Sequence, residues 1–315
     1  MPGWRPMLLV QLCSLCLALA IDECEEVGAA ESSLIQKQLS VHETVTVTSH
    51  LWDEHIFVVG TNHKAGSQLL RNTMAHVFDL MGATSSCRYN HHSPDSGVIH
   101  SVTSLNVDNA CDDFPAPIRF HNHINKDVIL QLRQEVQRVA QAGARAELRG
   151  VMIVREPLEM VVSSYCYHHR EAEPSNPIEW GIPQMGPEEG VPEMAKRMRG
   201  ILRWMLGAYQ VSAPDVLVVR YEDFTRSPES FDATIEQILD FLFRDEITDL
   251  QREEIKRAAR VEDLNRAHDL GVSAENNVNH TSDEDDMAAA RAAVSLISPE
   301  VYAEYVQFRE GLGYV

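Results

Sequence analysis

Four-residue aliphatic runs separated by helical periodicities set the pattern of this chain. Residues 56–59 (IFVV), 151–154 (VMIV) and 216–219 (VLVV) have the length and β-branched content of strands buried on both faces. After the first run, Leu69, Leu70, Thr73, Met74 and Val77 recur at helical spacing, which predicts a helix over about 66–81. Val128, Ile129, Leu132, Val136 and Val139 predict an amphipathic helix over 126–142, preceded by a short strand at 118–120. Further helices are expected over 192–211, 228–243, 251–260, 287–296 and 299–311. Residues 44–48 (TVTVT) alternate as a short strand does. No periodicity marks 82–117, which reads as a long functional loop or insertion, and 264–286 is polar and loop-like. Strands alternating with helices predict an α/β domain of three layers, a central parallel sheet flanked by helices.

The N-terminus breaks this alternation. Arg5 precedes an apolar run over 7–21, and Ala18-Leu19-Ala20 offers a small-residue cleavage site. Residues 1–21 therefore read as a signal peptide or a short membrane anchor, and both direct the chain to the secretory pathway, in the Golgi lumen or secreted. Residues 22–43 are acidic and mixed, a stem ahead of one domain over 44–315. Cys13 and Cys16 fall in the apolar run, which leaves Cys24, Cys87, Cys111 and Cys166 for an oxidising compartment. Asn279-His280-Thr281 is an N-glycosylation acceptor. The chain carries 47 Asp and Glu against 27 Lys and Arg, a formal net charge of −20 over 315 residues. Such a surface repels nucleic acid and anionic membrane, so a site for any anion must be a local basic exception.

Two segments supply that exception. Past 56–59 the chain breaks at Gly60 and crosses a polar loop containing Lys64, Gly66 and Ser67 before its helix starts. Strand, glycine-containing loop and helix form the unit in which backbone N–H groups cradle a phosphate, although an ordinary βα turn shares that outline. Lys64 adds a point charge and Ser67 a hydroxyl. The second segment is 151–165, VMIVREPLEMVVSSY. Its strand ends at Arg155, Pro157 opens a helix, and Ser163 follows eight residues after the arginine. A planar guanidinium fork and a hydroxyl so placed can converge on one anion.

With these residues the sequence resembles the sulfotransferases that use 3′-phosphoadenosine 5′-phosphosulfate (PAPS). KAGS, from Lys64 to Ser67, is similar to that family's 5′-phosphosulfate loop, and REPLEMVVSSY to its 3′-phosphate motif. RYEDF, from Arg220 to Phe224, resembles its Arg-Tyr-Glu-Asp element, and Leu312-Gly313-Tyr314 resembles the ending of many members. The resemblance implies a P-loop-like domain with PAPS as co-substrate and no metal. By it, Lys64 contacts the oxygen that bridges phosphate and sulfonate. The amides of Ala65, Gly66, Ser67 and Gln68, with the Ser67 hydroxyl, hold the 5′-phosphate. Arg155 and Ser163 hold the 3′-phosphate, and Tyr221 lies near the adenine. The acceptor is a hydroxyl of a glycan or of a secreted small molecule.

That hydroxyl needs a base, and histidine suits the task near neutral pH. His121 stands where many members carry one, with His123 second, and some carbohydrate-directed relatives use a glutamate. His91–His92 and His168–His169 look like the makings of a metal site, but adjacent histidines point in different directions. Departures from the family are Leu69 for an aromatic residue, Glu156 for an aspartate, and the missing Arg-Lys-Gly near the C-terminus. They point to a Golgi-type or microbial-type relative. Lys196, Arg197, Arg199 and Arg203 border the cofactor or an anionic acceptor, or form a solvated helix face. A P-loop kinase and a non-catalytic nucleotide-binding protein are the other readings, and the first lacks the P-loop glycine spacing and a Gly-Lys-Ser/Thr.

Cys87 and Cys111 bracket the long loop and are expected to be paired. Non-reducing peptide mapping of secreted protein should recover them as one cross-linked species; two free thiols there would remove the bridge.

Overall fold

The computed structural model describes residues 50–83, 86–89, 117–143, 146–170, 181–266 and 284–315. Residues 1–43, the strand expected over 44–48, His91, His92, Cys111 and Asn279 lie outside them. Five strands form one sheet: β1 (His55–Thr61), β2 (Ser86–Tyr89), β3 (Ile118–Asn122), β4 (Glu147–Val154) and β5 (Val216–Arg220). Their order is β2-β3-β1-β4-β5 and each neighbouring pair is parallel. The three aliphatic runs thus lie side by side. Every residue of β4 after Glu147 is buried, and so is every residue of β1 except Ile56. Strands covered on both faces select such continuous aliphatic runs.

The helices are α1 (His50–Glu54), α2 (Ser67–Leu80), α3 (Lys126–Gln141), α4 (Pro157–Arg170), α5 (Pro187–Val211), α6 (Tyr221–Thr225), α7 (Pro228–Phe243), α8 (Asp249–Ala259), α9 (Glu284–Ala293) and α10 (Pro299–Gly311). They pack in two groups. In one, α2 and α7 meet α8, while α2 touches β1 and α7 touches β4. In the other, α3, α4, α9 and α10 gather on the long α5, and α3 reaches β4. Phe57 of β1 anchors the first group, its ring centroid 5.6 Å from Phe78 of α2 and 5.7 Å from Phe243 of α7. Tilted ring pairs of this kind add to the gain from apolar burial. Arg149, 4% exposed, ties β4 to the end of α7, donating to the Leu242 carbonyl at 2.7 Å and to Glu246 at 2.6 Å.

Three expectations change. Residues 82–117 are not all loop, because β2 pairs with β3 from Ser86↔Ile118 to Tyr89↔His121. A four-residue edge strand is held by one neighbour's main chain and needs no apolar pattern of its own. The strand expected at 118–120 runs on to Asn122, so His121 belongs to the sheet. The helix expected from Pro192 begins at Pro187 instead, with Gly186 as N-cap, and Pro192 lies inside it. Two prolines five residues apart compete for the role of first helical residue, and the earlier one takes it. At α9 the acidic residues Glu284, Asp285 and Asp286 form the first turn, where they face the positive end of the helix dipole.

Gly150 lets β1, β4 and β5 approach. A Cβ there would lie 2.4 Å from Val58 Cγ1, 3.0 Å from Val216 Cγ2 and 3.2 Å from the Val58 carbonyl. Gly150→Ala should cost ~1–3 kcal/mol of stability through overpacking. Urea unfolding of the two proteins measures it, and a loss below ~0.5 kcal/mol would mean that the sheet relaxes at this point.

Candidate functional site

The C-terminal end of β1 lies between those of β3 and β4, where successive connections diverge across the sheet. Open α/β sheets hold their ligands at such a point. Past Thr61 the chain turns tightly. The Ala65 N–H donates to the Asn62 carbonyl at 3.0 Å, and the Ser67 hydroxyl donates to the same oxygen at 2.7 Å. Lys64 (φ 59°) and Gly66 (φ 99°) are both left-handed. Gly66 is required twice over, since an added Cβ would also stand 2.6 Å from Tyr221 Cδ2. It N-caps α2 with no side chain to offer, and the first turn carries no acidic residue. The leading N–H groups and the positive end of the helix dipole are therefore open to an external anion. Gln68 is steadied from its own helix, donating to Asn72 at 2.9 Å and accepting from Arg71 at 2.6 Å.

Arg155 closes this turn from the end of β4. Its Nη1 donates to the Lys64 carbonyl at 3.1 Å, and its guanidinium lies over the Tyr221 ring, 4.3 Å from the centroid. Tyr221 opens α6 directly after β5. Three strand ends thus meet through Lys64, Arg155 and Tyr221. Beneath them, Glu222 accepts the Glu156 N–H at 2.9 Å with one oxygen and the Tyr314 hydroxyl at 2.8 Å with the other. Arg309 ion-pairs with Glu156 at 2.6 Å, and Arg220 lies over the Tyr314 ring at 4.6 Å. Burial raises the Glu156 carboxyl above its usual range against the pull of Arg309, and burial followed by the Glu222 charge raises the Tyr314 hydroxyl. Ser163 lies half-buried on α4, the helix that starts two residues after Arg155.

On the other side of Lys64 stands a cluster of rings. The Lys64 ammonium lies 3.0 Å from the centroid of Tyr167. His63 Nε2 is 2.9 Å from His168 Nε2, with the rings stacked at 5.1 Å and 12°. His123 (φ 68°) stacks with His63 at 6.5 Å and meets Trp204 edge-on at 6.1 Å. Burial, and then the Lys64 charge, push His168 down to about 3 and hold His63 well below its ordinary value. His121 is buried in β3 opposite Gly60, 4% exposed, and its carbonyl accepts from the Thr61 hydroxyl at 3.3 Å.

The structure brings Lys64, Ala65, Gly66, Ser67, Gln68, Arg155 and Tyr221 to one place. Sequence reasoning missed His63 and Tyr167. The adjacency of His63 to Lys64 was a signal, but its contact with His168 spans 105 residues and follows no spacing rule. The basic cluster on α5 is engaged in ion pairs: Lys196 and Arg197 with Glu193, Arg199 and Arg203 with Glu304, at 2.7–3.3 Å. Cys166 is a buried free thiol that burial pushes up to about 11. Among the described residues, no group of three His, Cys, Asp or Glu is arranged to hold a metal ion.

No protein-family model matches the chain, and no curated protein matches it. Among solved structures, it is similar to a mouse sulfotransferase, SULT7A1, complexed with PAP. The similarity covers 82% of this chain and 84% of that one, with a TM-score of 0.43 and 15% identity.

The neutral His63–His168 pair makes stability depend on pH. Unfolded, each ring takes up a proton near its ordinary 6.5, whereas folded His168 does so only near about 3. Its contribution is therefore complete above 6.5 and is lost progressively as pH falls towards 3. Urea unfolding should show the wild type losing up to ~2 kcal/mol through His168 between about pH 6.5 and about pH 5, with a smaller loss in His168→Gln. Equal losses in both proteins would show that the ring titrates normally.

Proposed function

We propose that this chain transfers a sulfonate group from PAPS to a hydroxyl acceptor, a glycan or a secreted small molecule, in the lumen of the secretory pathway. The catalytic domain spans 44–315, behind a signal peptide or short anchor over 1–21. One observation carries the reading: in a chain of net charge −20, Lys64 and Arg155 stand on the same turn beside a helix start without a side-chain cap. That donor set suits a nucleotide carrying a 5′-phosphosulfate and a 3′-phosphate. Its chemistry also makes a metal unnecessary, because Lys64 and the helix start face the charge that a magnesium ion meets in phosphoryl transfer.

PAPS, when bound, supplies a sulfonate on a good phosphate leaving group. The residues of this chain bind and orient it. The N–H groups of Gly66, Ser67 and Gln68 hold the 5′-phosphate, while the Ala65 N–H and the Ser67 hydroxyl both donate to the Asn62 carbonyl and fix the turn. Arg155 offers its planar fork to the 3′-phosphate with Ser163, and the Tyr221 ring lies against the face of that fork. The Lys64 ammonium, resting on the Tyr167 ring, stabilises the charge that grows on the leaving phosphate.

PAP and PAPS should raise the melting temperature, and ATP with magnesium should not; the reverse order would favour the kinase reading. Arg155→Ala should weaken PAP binding by ~2–5 kcal/mol in calorimetry, since a charged partner is lost. Unchanged affinity in a folded variant would refute the assignment. Lys64→Ala should lower the transfer rate far more than it weakens PAPS binding. Equal losses in the two would leave Lys64 as a binding residue only.

A further inference from the structure

Lys64 is preceded in the sequence by a histidine with a partner of its own. We propose that His63, held by His168, takes the proton of the acceptor hydroxyl during sulfonate transfer. This rests on reading the Lys64 turn as the transfer site.

The nitrogens of the pair are the starting point. A 2.9 Å contact between His63 Nε2 and His168 Nε2 requires one N–H and one lone pair. His168 is 1% exposed, while His63 is partly buried beside Lys64 at the end of β1. With the hydrogen on His63 Nε2, His168 Nε2 accepts it and His63 Nδ1 keeps a lone pair as the basic nitrogen. The Ser164 hydroxyl, 3.4 Å from the same Nε2, lies 3.3 Å from the Met194 sulfur and can donate to it, which leaves its oxygen able to accept as well. A base steadied through its second nitrogen by a buried group is the arrangement that activates hydroxyls in acyl transfer. Here a neutral imidazole fills the orienting place usually taken by a carboxylate. By comparison, His121 is 4% exposed inside the sheet, and His123 stacks behind His63.

Burial first, and then the Lys64 charge, keep His63 from holding a proton, and the charge is the part that a ligand can change. The charged and titratable groups that act on His63 among the described residues are Lys64, His168 and His123, of which Lys64 lies on the Tyr167 ring and His123 meets Trp204. With the turn free of anion, the Lys64 ammonium opposes a second positive charge next to it. A phosphosulfate seated against Lys64 offsets that field, so His63 gains the ability to hold a proton when the co-substrate is present. In the step itself, the acceptor O–H proton passes to His63 Nδ1 as the new O–S bond forms. The S–O bond to the phosphate breaks, and its electron pair stays on the phosphate oxygen facing Lys64. The imidazolium shares its charge with His168 through the Nε2–H and later returns the proton to water, which balances the transfer.

Nitrogen-15 NMR of the histidine-labelled full chain tests this without an acceptor, using PAP as the probe. At neutral pH, His63 should be the Nε2–H tautomer, and saturating PAP should raise its pKa by about one unit or more. His168→Gln, whose side-chain oxygen can accept from His63, should keep that tautomer, and His168→Leu should lose it. In a PAPS-dependent assay against a panel of phenols and monosaccharides, His63→Gln should bind PAP within about twofold of wild type, with transfer reduced by about 10²–10⁴. A wild-type protein that binds PAP with His63 as the Nδ1–H tautomer, or with a pKa that PAP leaves unmoved, overturns the role of His63 alone. Full transfer by His63→Gln, with loss in His121→Gln or His123→Gln, does the same. Failure of the wild type to bind PAP overturns the sulfonate-transfer reading and His63 with it.

Discussion

One hydrogen bond, from the Arg155 guanidinium to the Lys64 carbonyl at 3.1 Å, is the constraint on which the site depends. It brings two cations to one turn, a placement that costs repulsion and that an acidic chain would otherwise avoid. Three features make it tolerable. The guanidinium charge is spread over a plane, that plane lies on Tyr221, and the Lys64 ammonium lies on Tyr167. Left-handed φ values at Lys64 and Gly66 give the turn its shape, and Tyr221 fills the space a side chain at Gly66 would need.

Several arginines elsewhere face carboxylates. Arg119 meets Glu135 at 2.6 Å, Arg133 meets Asp215 at 2.6 Å, and Arg260 and Arg266 share Asp232. A carboxylate partner cancels the field of its cation at a distance, whereas a ring attracts the cation and leaves the field in place. The aromatic seat of Arg155 therefore does more than hold it. It preserves an attractive potential for an anion within a surface that repels anions in general.

Much of the sheet was legible because burial on both faces demands aliphatic runs such as 56–59 and 151–154, and 216–219 carries the same signature although Leu217 and Val218 of this edge strand are only partly buried. β2 was not, because an edge strand of four residues is specified by the main chain of β3. The α5 start was misplaced because Pro187 and Pro192 carry the same signal. At the site, Lys64, Arg155 and Tyr221 were legible as a set because each follows a strand, and strand ends converge in a parallel sheet. His63, Tyr167 and His168 were not, since their meeting depends on how α4 lies across the turn after β1. Periodicity reports which face of a helix is buried and is silent on which residue it meets.

The path from Lys64 to Arg155, from Glu156 to Glu222 and from Glu222 to Tyr314 steps along the chain in strides of 91, 66 and 92 residues. Order of synthesis then becomes part of how the site forms. The turn at Lys64 emerges first and waits for its guanidinium, then for Tyr221 and Glu222, and last for the tyrosine that steadies Glu222. At roughly 5–20 residues per second, that interval is on the order of ten to fifty seconds. Through it the loop has its lysine without the geometry that gives the lysine a purpose, so a nascent chain can complete most of its sheet before it has anywhere to hold an anion.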